Sequence, residues 1–167
     1  MKVKGILKTV IGDVTNPQLT TPNEVVIIPH CCNTLGVMGA GVALALKKKW
    51  PNVYKIYKEY PMGLGEVSFV DVGDEQDENI KTVVANMIGQ YKIRSIDNPK
   101  PVRYLALAMA MAKIVEFIGG HGDDSKFVIH CPKFGSELAG GNFEFILELI
   151  REIWLENGID VVVYEFE

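Results

Sequence analysis

Apolar and polar positions along the chain follow two rhythms, one of strands and one of helices. "KVKGILKTVI" (2–11) reads as a strand stopped by the turn signal of Gly12 and Asp13. "EVVIIPHC" (24–31) is a near-continuous β-branched run, the pattern of a strand covered on both faces. A helix beginning near Gly39 or Gly41 carries "VALALKKKW", and Pro51 ends it or opens a second piece, "PNVYKIYKEY". Two strands are expected at 65–73 and 79–89, joined by the acidic turn "DEQDE" at 74–78. After a long loop at 90–101 comes the helix "VRYLALAMAMAKIVEFIGG", with Pro101 at a favoured first position and Gly119 and Gly120 as its stop. Strand 126–132, loop 133–142, helix 143–158 and strand 159–166 complete the pattern. Six strands interleaved with about three helices predict an α/β fold, a three-layer α/β/α sandwich around a central mixed six-stranded sheet.

Length changes this picture little: 167 residues with no repeat, linker or low-complexity tract fit one domain spanning 1–167. The 48% hydrophobic and 23% charged composition is that of a globular protein rather than a disordered one. The longest apolar run, "LALAMAMA" at 105–112, falls far short of the ~20 residues a membrane span needs, so no membrane partner is expected. The start of the chain has too short an apolar region for a signal peptide, and three cysteines, two of them adjacent, form no disulfide framework. A cytoplasmic protein is the expectation. A formal charge of −4 argues against nucleic-acid binding by bulk electrostatics.

Chemistry is expected just beyond the carboxyl ends of strands, where open α/β sheets bind their ligands. Two such junctions are rich in glycine: Gly36, Gly39 and Gly41 after strand 24–31, and Gly135, Gly140 and Gly141 after strand 126–132. Such loops turn N–H groups toward a ligand, and a following helix adds the positive end of its dipole, so two facing loops would grip a diphosphate from both sides. Tight turns are the alternative for either loop taken alone. Neither the dinucleotide fingerprint G-x-G-x-x-G directly after a strand nor the Walker pattern is present, which ranks nicotinamide dehydrogenases and nucleotide triphosphatases low.

"PHCC" and "IHCP" place His30, Cys31, Cys32, His130 and Cys131 at strand ends, but neighbouring strand residues face opposite ways and there is no C-x-x-C, so a metal site is not expected. Buried thiols acting as small hydrophobes are the default, and a thiol nucleophile would need His30 or His130 as its base. "KKKWPNVYKIYKEY" interleaves lysines with Trp50, Tyr54, Tyr57 and Tyr60, as a single-strand binder would; a solvated helix face with aromatics packed inward competes with that reading. The acidic turn lacks the calcium-loop pattern and reads as an exposed hairpin tip.

Taken together, "GDVT" (12–15), "HCCNTLGVMGAGVALALKKKWP" (30–51) and "PKFGSELAGGNFEFI" (132–146) resemble, in order and over nearly the whole chain, the macrodomains, which bind ADP-ribose. "MGAG" before a basic helix, with "LAGGN", is similar to the branch of ADP-ribose 1''-phosphate phosphatases, terminal ADP-ribose glycohydrolases and small phage-encoded macrodomains. The resemblance implies that Asp13 accepts the adenine amino group and Val14 lines the adenine slot. It implies that Asn33 holds the distal ribose, and that Gly39, Ala40 and Gly41 cradle the phosphates from one side. Gly135, Ser136, Glu137, Leu138, Ala139 and Gly140 would do so from the other, with Tyr164 or Phe166 beside the base.

The glycohydrolase branch uses a lysine and an aspartate where this chain aligns Gln90 and Ala139, with Lys92 the nearest substitute. His30, beside Asn33, is then the general acid or base candidate, and Glu137 is the one carboxylate near the phosphates. The expected function is binding of ADP-ribose with hydrolysis of ADP-ribose 1''-phosphate or a related ester. A non-catalytic module for free or protein-linked ADP-ribose, and a nucleic-acid binder using residues 47–60, are the alternatives. No cofactor is implied.

Overall fold

The computed structural model describes residues 3–60, 62–73, 81–121 and 125–166. In chain order they form β1 (Leu7–Ile11), β2 (Val25–Asn33), α1 (Gly41–Lys49), α2 (Pro51–Glu59), β3 (Val67–Asp71), β4 (Lys81–Gln90), α3 (Tyr104–Gly119), β5 (Phe127–Pro132), α4 (Phe143–Leu149) and β6 (Asp160–Glu165). The strands build one six-stranded sheet in the order β1-β6-β5-β2-β4-β3. All neighbours are parallel except β3, which runs antiparallel to β4. The expected hairpin tip at 74–78 lies outside the described residues.

Strand residues alternate between the two faces, and both are covered. On one face Ile27, Met87, Ile129, Val161 and Val163 pack with Leu107, Met111 and Ile114 of α3 and Ile146 of α4. On the other, Val26, Ile28, Val84, Ile88 and Val128 meet Leu46 of α1 and Val53 and Tyr57 of α2. The sheet therefore lies between α1 and α2 on one side and α3 and α4 on the other, as the predicted three-layer sandwich requires. No helix among the described residues is long and apolar enough to cross a membrane.

Three boundaries depart from the sequence reading for local reasons. Strand β1 begins at Leu7 because the preceding backbone is taken up elsewhere: Gly5 N–H donates to Leu155 O and Ile6 N–H to Asp160 Oδ1. Pro101 is not the first residue of α3, since Val102 N–H donates to Ala139 O and Arg103 N–H to Gly89 O before the helix opens at Tyr104. That short extended crossing ties the second glycine loop to the end of β4. The helix expected at 143–158 is α-helical only to Leu149 and continues as a wider π-helical segment, Ile150–Leu155. This turn carries Ile150 and Trp154 to the buried side below Ile146, and the Trp154 indole N–H donates to Met111 O at 3.0 Å.

The lysine and aromatic stretch is occupied by its own contacts. Lys47 Nζ lies 4.0 Å above the Tyr54 ring, Lys49 Nζ 4.6 Å from that of Trp50, and the Tyr57 hydroxyl is buried against Asn33. Those rings are partnered within the chain rather than offered to bases.

Candidate functional site

Strands β2 and β5 are parallel neighbours, so the two glycine loops leave the sheet at the same edge and face each other. Between them lies a cavity of about 350 Å³, lined by Asn33, Val37 to Ala43, Gln90, Ile93, Arg94 and Pro132 to Ala139. A second cavity of about 440 Å³ adjoins it, lined by Asp13, Thr15, Ala45, Tyr164, Glu165 and Phe166. Gly41, Val42, Pro132, Lys133 and Glu137 line both, so the two form one trough with the glycine loops at its waist.

The first loop is shaped by Asn33. At the end of β2 the register slips between Cys32 and Asn33, which turns the amide out of the ladder. Its Oδ1 accepts from Leu35 N–H (3.0 Å), Val37 N–H (3.2 Å) and the Tyr57 hydroxyl (3.0 Å), and its Nδ2 donates to Val37 O (2.8 Å). Asn33 is thus a loop former before it is a ligand group. Helix α1 then opens on Ala40 without a side-chain cap and without an acidic residue in its first turn. Its first residues, Gly41 and Val42, line the waist of the trough, where the positive end of the helix dipole suits an anion.

The second loop is held by its own backbone: Gly140 N–H donates to Glu137 O and Gly141 N–H to Gly135 O, around a short 3₁₀ turn, Glu137–Ala139. Gly135 (φ 75) and Gly140 (φ 78) are left-handed, and a Cβ would stand 2.8 Å from Ile146 at the first and 3.1 Å from Pro99 O at the second. Glu137 is left-handed too (φ 58) although it carries a side chain, a strained conformation of the kind that gathers at ligand sites. Phe134 and Ala139 anchor the loop in the core, while Ser136, Glu137 and Leu138 remain accessible.

At the far side of the waist, Asp13 Oδ1 accepts from the Thr15 N–H (2.9 Å) and hydroxyl (2.8 Å), and Oδ2 has no partner among the described residues. Phe166 is 70% exposed at the cavity's edge. Tyr164 is buried beneath it, its hydroxyl fixed by Gln18 N–H and His130. Val14 does not line this cavity; it is buried in the core beside α1 and α2, and Thr15 takes its place in the wall.

The largest correction concerns His30. The residue lies in the floor of the first cavity, but it is 2% exposed, its Nε2 is 2.6 Å from Asn86 Oδ1, and the Cys32 sulfur is 3.5 Å away. Burial, only partly offset by that hydrogen bond, pushes its pKa down to about 4. A neutral ring with its Nε2 already bonded is not placed to trade protons with a ligand, so His30 is a core histidine. Burial likewise pushes the Cys31 thiol up to about 12, and raises Cys32 and Cys131. Neither His30 nor His130 makes a thiolate here. Alkylation by iodoacetamide at pH 7.5 is expected to leave all three cysteines of the native protein essentially unmodified and to label all three in urea; rapid native labelling at Cys31 would restore a thiol mechanism.

Gln90 lines the first cavity at the end of β4, and Ala139 turns its methyl group into the core, so the two positions hold neither amine nor carboxylate. Lys92 does not fold back. Its N–H donates to Thr34 Oγ1 and its Nζ lies 5.3 Å from the Tyr91 ring. Three groups that the sequence reading passed over belong to the trough: Thr15, Lys133, which pairs with Glu165 at 2.7 Å, and Arg94. Thr15 and Lys133 fall within the "GDVT" and "PKFGSELAGGNFEFI" motifs, whereas only the trough shows the place of Arg94, which lies in a stretch whose composition is that of any surface loop.

No family model matches the chain. Among curated proteins it is similar to the ADP-ribose 1''-phosphate phosphatase of Debaryomyces hansenii, 33% identical over 55 residues, which are 33% of this chain and 31% of that protein. The chain spans between 16% and 31% of the length of the curated relatives it matches. Among solved structures, a Bacteroides thetaiotaomicron protein of unknown function is 33% identical over 96% of this chain and 98% of its own, with a TM-score of 0.80. A macrodomain protein from Streptomyces coelicolor is 32% identical over 95% of this chain and 98% of its own, with a TM-score of 0.73. Identity at that level along nearly the full length of both chains, on the same fold, places this chain in the macrodomain family.

Proposed function

We propose that this macrodomain binds ADP-ribose or an ADP-ribose derivative, with residues 1–167 acting as a single domain. The observation that carries the reading is the two-chambered trough whose waist lies between the two glycine loops, at the N-terminus of α1. A ligand with a charged centre and two polar ends fills it: adenine in the chamber of Asp13 and Phe166, diphosphate between Gly39 to Gly41 and Ser136 to Gly140, distal ribose beside Asn33 and Gln90. The free Oδ2 of Asp13 suits an exocyclic amine, and the chamber volumes are within the usual range for small-molecule sites.

Titration calorimetry with ADP-ribose tests this reading. Micromolar binding is expected, and Asp13→Ala should weaken it roughly ten- to hundredfold through loss of one charge-assisted hydrogen bond. Absence of binding by the folded wild type refutes the reading.

A hydrolytic reading rests on Glu137, the single carboxylate among the residues lining the first cavity. In it the loops hold the ligand, Glu137 takes a proton from water as the water oxygen attacks the terminal phosphorus, and the bond from phosphorus to the ribose oxygen breaks, the leaving oxygen taking its proton from solvent. Phosphate release from ADP-ribose 1''-phosphate that Glu137→Gln abolishes, with binding retained, is the expected result. Binding without release assigns the protein to the non-catalytic module.

A further inference from the structure

The wall of the first cavity includes Ile93 and Arg94 of a loop, residues 91–100, that none of the preceding roles uses. We infer that Arg94, on this loop, is a specificity-determining residue that selects ligands carrying a phosphate monoester on the distal ribose. The inference deepens the ADP-ribose reading and rests on it.

Position is the first ground. Arg94 lines the first cavity together with Asn33 and Gln90, and does not line the chamber of Asp13. A group that meets Arg94 therefore lies on the Asn33 side of the trough, away from the Asp13 chamber.

Availability is the second. Among the described residues Arg94 makes no hydrogen bond or ion pair, whereas every cation near it is engaged. Lys133 is bound to Glu165 at the waist, Arg103 donates to the carbonyl oxygens of Lys100 (2.7 Å) and Pro101 (3.3 Å), and Lys92 and Lys100 lie over tyrosine rings. Glu137, the one carboxylate in the wall of the first cavity, forms no ion pair with Arg94. The cavity thus has a guanidinium in its wall that no carboxylate among the described residues pairs with.

The third ground is the way the loop is held. Ser95 and Asn98 exchange backbone hydrogen bonds (3.1 Å each), and the Asn98 side-chain amide donates to Tyr91 O (2.7 Å) and Ile93 O (3.0 Å). Thr34 on the first loop fixes Lys92 N–H from the other side. Arg94 is accessible to solvent, yet its backbone is pinned on both flanks. A guanidinium presented from a fixed backbone recognises the paired oxygens of a phosphate through a forked pair of N–H donors, and gains far less from a neutral hydroxyl.

Calorimetric titrations with ADP-ribose and with ADP-ribose 1''-phosphorothioate, a slowly hydrolysed monoester, test the assignment in wild type, Arg94→Ala and Arg94→Lys. The wild type is expected to prefer the monoester at least tenfold. Arg94→Ala should bring that ratio close to one, and Arg94→Lys should retain part of it as a point charge; native circular dichroism confirms that both variants are folded. Equal affinity of the wild type for the two ligands, or a preference that survives Arg94→Ala, overturns the inference while leaving ADP-ribose binding in place. Failure of folded wild type to bind either ligand overturns both.

Discussion

Replacing His130 by alanine is expected to cost about 3–5 kcal/mol of folding stability at pH 7, the range for stripping the partner from a buried charged group. His130, on β5, is wholly buried. Its Nε2 donates to Glu24 Oε2 (3.1 Å) and its Nδ1 accepts from the Tyr164 hydroxyl (2.7 Å), whose oxygen in turn accepts from Gln18 N–H (2.8 Å). The other oxygen of Glu24 accepts from Thr20 and Thr21 backbone N–H groups. Burial lowers the His130 pKa against the opposing pull of Glu24, so the ring is neutral at pH 7 and every donor in the chain has one acceptor. Alanine leaves Glu24 Oε2 without a donor and the Tyr164 hydroxyl proton without an acceptor, in residues 1% and 3% exposed. Urea unfolding at pH 7 measures the loss, and His130→Gln, which keeps a donor for Glu24, should recover part of it. A loss below about 1 kcal/mol for alanine would mean that water replaces the ring and that the network is not closed.

Acid should act through the other buried histidine. His30 has a folded-state pKa of about 4 against an ordinary value of about 6.5, so between those values the unfolded chain holds the extra proton. Stability contributed by the neutral ring is therefore full above about pH 6.5, falls as the pH drops through that window, and is spent below about pH 4. The gap corresponds to about 3 kcal/mol. His130 pulls in the same direction, so the wild-type loss exceeds this figure. His30→Gln keeps an N–H for Asn86 without a titrating ring, and should reduce the loss between pH 7 and pH 4 by about 3 kcal/mol in denaturant titrations. An unchanged pH profile would show that His30 is hydrated in the native protein.

Both histidines illustrate where the sequence could be read and where it could not. The run at 24–31 announces a strand buried on both faces, and the glycines after it and after 126–132 announce two loops at strand ends. Periodicity and turn chemistry are local, and they suffice for the layers of the fold. Which strands become neighbours is not local. That β5 pairs with β2 and β6 is settled by the whole sheet, and with it the company that each histidine keeps. Asn86 lies 56 residues from His30, and Glu24 lies 106 from His130, so no spacing rule connects them.

The same limit explains the other errors. Pro101 is a good first helical residue by preference, yet β4 and the second loop claim the backbone after it. Asn33 has the residue type of a ribose ligand and lines the cavity, and its four hydrogen bonds, which no spacing rule announces, also shape the first loop. Arg94 had no signal at all: its neighbours "YKIRSIDNPKP" spell only an exposed loop, and its value comes from the cavity it overlooks.

Closure of the 91–100 loop upon itself has a consequence for how such a protein diversifies. Asn98 ties the segment to its own carbonyl oxygens, and the strand before it and the helix after it are fixed by the core. The segment is in effect a cassette, open to replacement without disturbing sheet packing. Natural variation or laboratory grafting that keeps the Lys92 N–H bond to Thr34 and the Pro99 and Lys100 backbone against Gly140 would retune what the distal end of the trough accepts, while the waist and the Asp13 chamber pass unchanged from parent to descendant.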